Sequence, residues 1–128
     1  PNSENSWICS NEEVVKAYDE DSRCGFVFTL NGFNTLFELM ICTYKKNGWA
    51  LNKPTISIIF VAGEQDPCIV NRRAFEQAVA FMQELGYHNC KGKLYSEMRH
   101  EILNETGKET VWDDLCHWIE EQKLYVRN

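Results

Sequence analysis

The rhythm of hydrophobic and polar positions changes at Pro54. Before it, Phe33, Leu36, Phe37, Met40, Ile41 and Tyr44 recur three or four residues apart, which predicts a helix. Asn31-Gly32 should break the chain ahead of that helix, and Asn47-Gly48 should end it. Further upstream, Ser10 with Glu13 three residues later makes a capping-box pattern for a helix to about Tyr18. Residues 19–22 read as a turn, and residues 24–30 as a short apolar, aromatic segment. After Pro54, residues 55–62 are uncharged and rich in β-branched side chains, as in a strand covered on both faces. Asn71 can cap a helix whose apolar side carries Phe75, Ala78, Val79, Met82 and Leu85, and Gly86 can end it. Residues 91–95 form a second strand. Thr106 with Glu109 repeats the capping box, and Val111, Leu115, Trp118 and Ile119 give a last buried stripe. The order strand–helix–strand–helix predicts an α/β class with parallel strands and a right-handed crossover. The chain divides on this reading into a small helical segment over residues 1–50 and a βαβα segment over residues 51–128.

Length and composition narrow the classes. The 128 residues fit one domain, or a small domain with an appendage, and 44% apolar residues with 12% aromatics can build a core. A net charge of −6 without a basic cluster argues against nucleic acid and anionic membranes as partners. No apolar run approaches the roughly 20 residues of a membrane span. No charged-then-apolar leader opens the chain, so no secretion signal is expected. A start at Pro1 without Met reads as an engineered piece or a trimmed product, in which a leader of the parent would not show. The six cysteines lack both the close spacing of a disulfide scaffold and any Cys-x-x-Cys, so the expectation is reduced core thiols in the cytoplasm, with a disulfide or metal role as the lesser alternative. No cofactor and no metal site is expected.

Two strings after Pro54 carry candidate chemistry. Gly63-Glu64-Gln65-Asp66-Pro67 closes the first strand, and Arg99-His100-Glu101-Ile102-Leu103-Asn104-Glu105 comes a few residues after the second. Ligand sites of open parallel sheets lie beyond the carboxyl ends of the strands. Neighbouring strands are about 4.8 Å apart, so loops leaving them can bring Asp66 and His100 into hydrogen-bond contact. A carboxylate on one imidazole nitrogen fixes the tautomer and leaves the other nitrogen to take a proton. Asp66 before Pro could instead serve only a turn, and His100 only a local cap. Cys68, two residues past Asp66, reads as a packing residue, with a nucleophilic role as the minor alternative. His88 and His117 read as surface residues. Asp113, Asp114, Glu120 and Glu121 read as a solvated helix face.

These strings resemble α/β-hydrolases of the lysophospholipase and monoacylglycerol-lipase type. The 62–67 string looks like that group's acid loop, and Arg-His-Glu-Ile-Leu-Asn-Glu looks like its histidine segment. Asp21-Ser22-Arg23-Cys24-Gly25-Phe26 is similar to a cap stretch that carries Pro where this chain has Ser22. The resemblance spans nearly the whole chain but only about the second half of a family member: cap, then the last two strands with their helices. It implies Asp66 as triad acid and His100 as general base. The order acid-then-histidine fits the tail of the Ser…Asp…His order of that fold. The nucleophile elbow Gly-x-Ser-x-Gly is not in these residues. Ser57 lies within a strand, and Ser96 lacks small neighbours.

What the resemblance implies is a serine hydrolase of lipophilic carboxylic esters, of lysophospholipid or monoacylglycerol type, whose serine lies outside this segment; the segment alone should be inactive. The alternative is a non-catalytic interaction or small-ligand-binding module derived from such a half. Phe26, Phe28, Phe33, Phe37 and Met40 could line an acyl pocket or form the core of the cap. An uncharged strand edge at 55–62 should recruit the other half or a second copy.

Overall fold

Residues 54 and 55 turn, and Ile56 donates to the Lys53 carbonyl, so the first strand starts later than its apolar run. In the computed structural model, which describes residues 3–126 and side chains to residue 122, β1 is Ile58–Gly63 and β2 is Cys90–Tyr95. They pair in parallel, with Ile58 opposite Cys90 and Gly63 opposite Tyr95. The expected α/β arrangement is therefore the one observed. Complete burial of β1 is not: along its length it is half-buried, and only Gly63 is buried. The expectation attached to Pro1 lies outside the described residues.

α3, Arg72–Glu84, crosses between the strands. Its start is as expected: the Asn71 side chain accepts from the Ala74 amide and satisfies one of the orphan donors of the first turn. Gly86, at φ +107, ends it in a conformation that other residues resist. Met82 and Leu85 from this helix and Cys90 from β2 form one buried cluster, flanked by Trp49, Phe60 and Val79. α4, Lys108–Val126, places Val111 against Tyr95, Met98 and Ile102 in a second cluster. Leu115 and Trp118 are half-buried as the stripe predicts, whereas Ile119 is exposed.

The N-terminal helices depart from expectation in informative ways. α1 is Glu12–Glu20, and its cap is Asn11, which accepts from the Glu13 amide. Ser10 does not cap because its hydroxyl and amide both go to Glu105. α2 is Leu30–Thr43. Thr29 accepts from the Gly32 amide, so the helix starts before Asn31-Gly32 and absorbs that pair into its first turn. It ends at Thr43, ahead of Asn47-Gly48, where the Trp49 indole donates to the Thr43 carbonyl. α4 likewise starts past Thr106, whose amide goes to Glu105.

Every large side chain of α2 is exposed. Phe26, Phe28, Phe33 and Phe37 form a continuous ladder of rings with centroids 5.4, 5.5 and 6.2 Å apart. The ladder faces solvent rather than forming a closed core. The six thiols are unpaired; Cys9 and Cys90 are buried, while Cys42, Cys68 and Cys116 are exposed, so the core role holds for two and not for Cys68. Among the described residues, no helix is long and apolar enough to cross a membrane.

At Gly63 the end of β1 is locked against the loop that leaves β2. A Cβ there would overlap the carbonyl oxygens of both Met98 and Arg99. Gly63→Ala must push the 98–100 backbone off the end of β1. The expected cost is about 3 kcal/mol or more in denaturant unfolding; an unchanged midpoint would show that the loop does not depend on this approach.

Candidate active site

The 96–105 loop runs back across the end of β1. Glu64 donates its amide to the Tyr95 carbonyl at 2.8 Å, and Gln65 donates to the Met98 carbonyl at 2.9 Å. These two bonds lay the acid loop against the histidine loop, backbone on backbone. Asp66 then caps a single 3-10 turn, Pro67–Ile69, with Oδ1 accepting from the Cys68 amide at 2.8 Å. Pro67 fits its first position because no amide is needed there. The turn closes on Val70, at φ +64 and ψ −57, with the Asn71 amide on the Ile69 carbonyl at 2.7 Å. That is a strained γ-turn for a β-branched residue, and it delivers Asn71 to cap α3.

With Oδ1 so engaged, Oδ2 of Asp66 faces His100. It lies 2.9 Å from Nδ1 of the ring. The Asp66 side chain is 6% exposed and that of His100 44% exposed. The carboxylate is thus shielded, while the imidazole presents its far side to solvent. Nε2 has no hydrogen-bond partner among the described residues. Trp7 covers part of the ring, with centroids 5.1 Å apart and planes tilted by 51°. This is a carboxylate–imidazole pair with one nitrogen held and the other open, the geometry of an oriented proton acceptor.

Cys68 sits next to the pair. Burial pushes its thiol up, and the neighbouring Asp66 carboxylate adds to the shift by charge and hydrogen bonding. A thiol so placed stays protonated at neutral pH, which disfavours the nucleophilic alternative. His88 and His117 are exposed and distant in role, as are Asp113, Glu120 and Glu121; Asp114 is half-buried and paired with Lys93.

The residue that sequence reasoning passed over is Glu105, 2% exposed. Oε1 accepts from the amides of Ser10 at 2.9 Å and Arg99 at 2.8 Å. Oε2 accepts from the Ser10 hydroxyl and, at 3.2 Å, from the Thr106 amide. One carboxylate therefore joins the N-terminal segment, the residue before His100 and the approach to α4. The Arg99 guanidinium donates to the carbonyls of Ser6 and Cys9, and the Glu101 amide to the Ile8 carbonyl. Burial alone would raise Glu105, but the hydrogen bonds from Ser10, Arg99 and Thr106 outweigh it and hold its carboxyl below the ordinary value. The one available signal was its apolar setting, Ile102-Leu103-Asn104-Glu105, in which an acid needs a partner.

A family model described as serine aminopeptidase, S33, matches residues 1–107. The chain belongs to this hydrolase family. Among solved structures, a highly thermostable carboxyl esterase from Bacillus coagulans, crystallised in complex with glycerol, is similar at TM-score 0.70 and 24% identity. The match covers 94% of this chain and 40% of the esterase, so the chain spans two fifths of that protein's length. At this identity the likeness is one of fold, that of an α/β-hydrolase. No curated protein matches the sequence.

Replacing Glu105 by Gln leaves a neutral side chain facing four donors. The expected loss of stability is about 3 kcal/mol at neutral pH. A lowered folded value means the stabilisation is complete above the ordinary glutamate range and is lost as pH falls below about 4.3. Unfolding measured from pH 7 to pH 3 should therefore show a shallower acid decline in the Gln variant than in the parent chain. Parallel declines would mean that the carboxylate contributes no pH-linked stability.

Proposed function

We propose that these residues form the C-terminal part of a serine hydrolase that cleaves carboxylic esters of lipophilic substrates, of lysophospholipid or monoacylglycerol type. The observation that carries this reading is the 2.9 Å contact between buried Asp66 and half-exposed His100, with Nε2 open. His100 takes the proton of a serine hydroxyl supplied from outside this segment as that oxygen attacks the acyl carbonyl. It then protonates the leaving alcohol. Asp66 holds the ring in the required tautomer and stabilises the imidazolium. The hydrolase family and the fold shared with a carboxyl esterase support the reaction class. The solvent-facing ladder Phe26–Phe28–Phe33–Phe37 supports a lipophilic acyl group. Residues 1–50 act as the cap, tied down through residues 6–10, and residues 51–128 supply the core. The unpaired thiols fit a cytoplasmic setting.

The intact protein should react with a fluorophosphonate probe and hydrolyse a short-chain ester. Asp66→Asn should lower kcat by about 10^4-fold without lowering thermal stability in proportion, and His100→Ala should abolish labelling. An intact protein that carries the serine and takes no label would instead be a non-catalytic binding module.

The partner reading rests on the two strand edges. β1, Ile-Ile-Phe-Val-Ala-Gly, carries no charge, and because Ile58 and Glu64 donate towards β2 or the residues bounding it, Ile59 and Val61 point their amides away from it. β2 carries Lys91 and Lys93, which blunt an outer edge. We expect β1 to pair with a strand of the remaining hydrolase sheet, or, in its absence, with a second copy. Light scattering of the 128-residue chain alone should give a mass above its 15.0 kDa; a stable monomer at that mass would remove this reading.

A further inference from the structure

The turn after β1 gathers three different metal-ligating groups at one point. A carboxylate oxygen of Asp66, the sulfur of Cys68 and a ring nitrogen of His100 all lie within 4.8 Å of one another. Asp66 is buried at the base of this cluster, and Cys68 and His100 are exposed above it. The ester-cleaving reading uses the acid and the imidazole but leaves the thiol without a task. The thiol is there because Asp66 caps the 3-10 turn: the bond from the Cys68 amide to Oδ1 folds the side chain two residues on back beside the carboxylate.

Donor chemistry narrows the ligand. Calcium and magnesium select oxygen ligands, whereas a thiolate with an imidazole selects zinc and similar borderline cations. Around tetrahedral zinc, with ligand bonds of 2.0–2.3 Å, donor atoms stand about 3.3–3.8 Å apart. The 2.9 Å contact between Asp66 Oδ2 and His100 Nδ1 is already shorter than this, so a cation held through Nδ1 must part that pair while the exposed Cys68 thiol moves in. Three protein ligands with solvent on the fourth side is the pattern of an open site.

We propose that Asp66, Cys68 and His100 form a binding site for a thiophilic divalent cation, with zinc as the probe. Binding forms Zn–O, Zn–S and Zn–N bonds in place of the Asp66–His100 hydrogen bond, and any proton on the ligating ring nitrogen moves to the other ring nitrogen. Zinc-bound water is released, the thiol proton passes to solvent, and no electron changes hands. A metal on either ring nitrogen takes the imidazole out of proton transfer. The site therefore silences ester cleavage when loaded, a consequence that rests on the function proposed above, whereas the binding itself does not.

The test is metal titration of the reduced, metal-free 128-residue chain, which needs neither ester nor nucleophile. Zinc affinity is read by competition with a chromogenic chelator, and cobalt(II) replaces zinc to report a thiolate-to-metal absorption band. The parent chain is compared with Cys68→Ser and with the double variant Cys42→Ser, Cys116→Ser, which removes the other exposed thiols; circular dichroism verifies that each is folded. One equivalent should bind to the parent chain and to the double variant, with a cobalt–thiolate band. Cys68→Ser should lose the band and bind zinc at least about ten-fold more weakly. Equal affinity in Cys68→Ser, loss of binding in the double variant alone, or no stoichiometric binding to the parent chain would each overturn the site. Failure of the esterase assay with metal binding intact would separate the two readings.

Discussion

A buried carboxylate with four donors converging on it is a constraint on every segment that supplies one. Glu105 is that group here. An ionised acid at 2% exposure is tolerable only if its hydrogen bonds are made, so the arrangement that makes them is strongly preferred over any that leaves one out. The preference fixes the Arg99 amide, and with it the adjoining histidine. The Arg99 guanidinium, held by the Ser6 and Cys9 carbonyls, fixes the same point from the other side. His100 is positioned by these neighbours as well as by Asp66. The 2.9 Å contact between the two is a consequence of where both loops are already held.

The acid side is held by different means. Gly63 admits the backbone of residues 98 and 99 against the strand end, and the amides of Glu64 and Gln65 tie that backbone down. Asp66 then commits one oxygen to its own turn and keeps the other for the imidazole. Both halves of the pair are therefore preorganised by contacts within this segment. In energetic terms, the orientation of the imidazole is fixed during folding.

The sequence made local features legible and long-range ones not. Asn71, Gly86 and the apolar side of α3 were readable because a cap, a positive φ and a helical period are each decided within a few residues. Asp66 and His100 were readable because a parallel pair brings consecutive strand ends together. Ser10 misled because the partner that takes its hydroxyl is 95 residues away, which leaves Asn11 to cap α1. Thr106 misled through the same acid, here its immediate neighbour, which takes the Thr106 amide and leaves α4 to start further on. Asn31-Gly32 misled because Thr29 starts α2 first, and in a first helical turn a glycine costs little. The cluster that includes Cys68 was invisible as a metal motif because no spacing brings residues 66, 68 and 100 together; the fold does.

The distribution of exposure divides the chain into a finished and an unfinished part. Around Glu105 the carboxylate has all four of its donors in place, and Ile8, Cys9 and Val111 are nearly inaccessible. Along α2, the segment before it and β1 the opposite holds: the rings of Phe26 and Phe37 stand more than half exposed, and among the described residues β1 pairs on one side alone. Exposed apolar area of this extent is unfavourable for an isolated domain. Burying even half of one such ring recovers on the order of 1 kcal/mol. The Asp66–His100 contact rests on Glu105 in the finished part and on Gly63 at the end of β1, and neither support involves the exposed side of α2. On the function proposed above, whatever covers α2 and β1 would decide whether the open nitrogen of His100 meets a hydroxyl or only water.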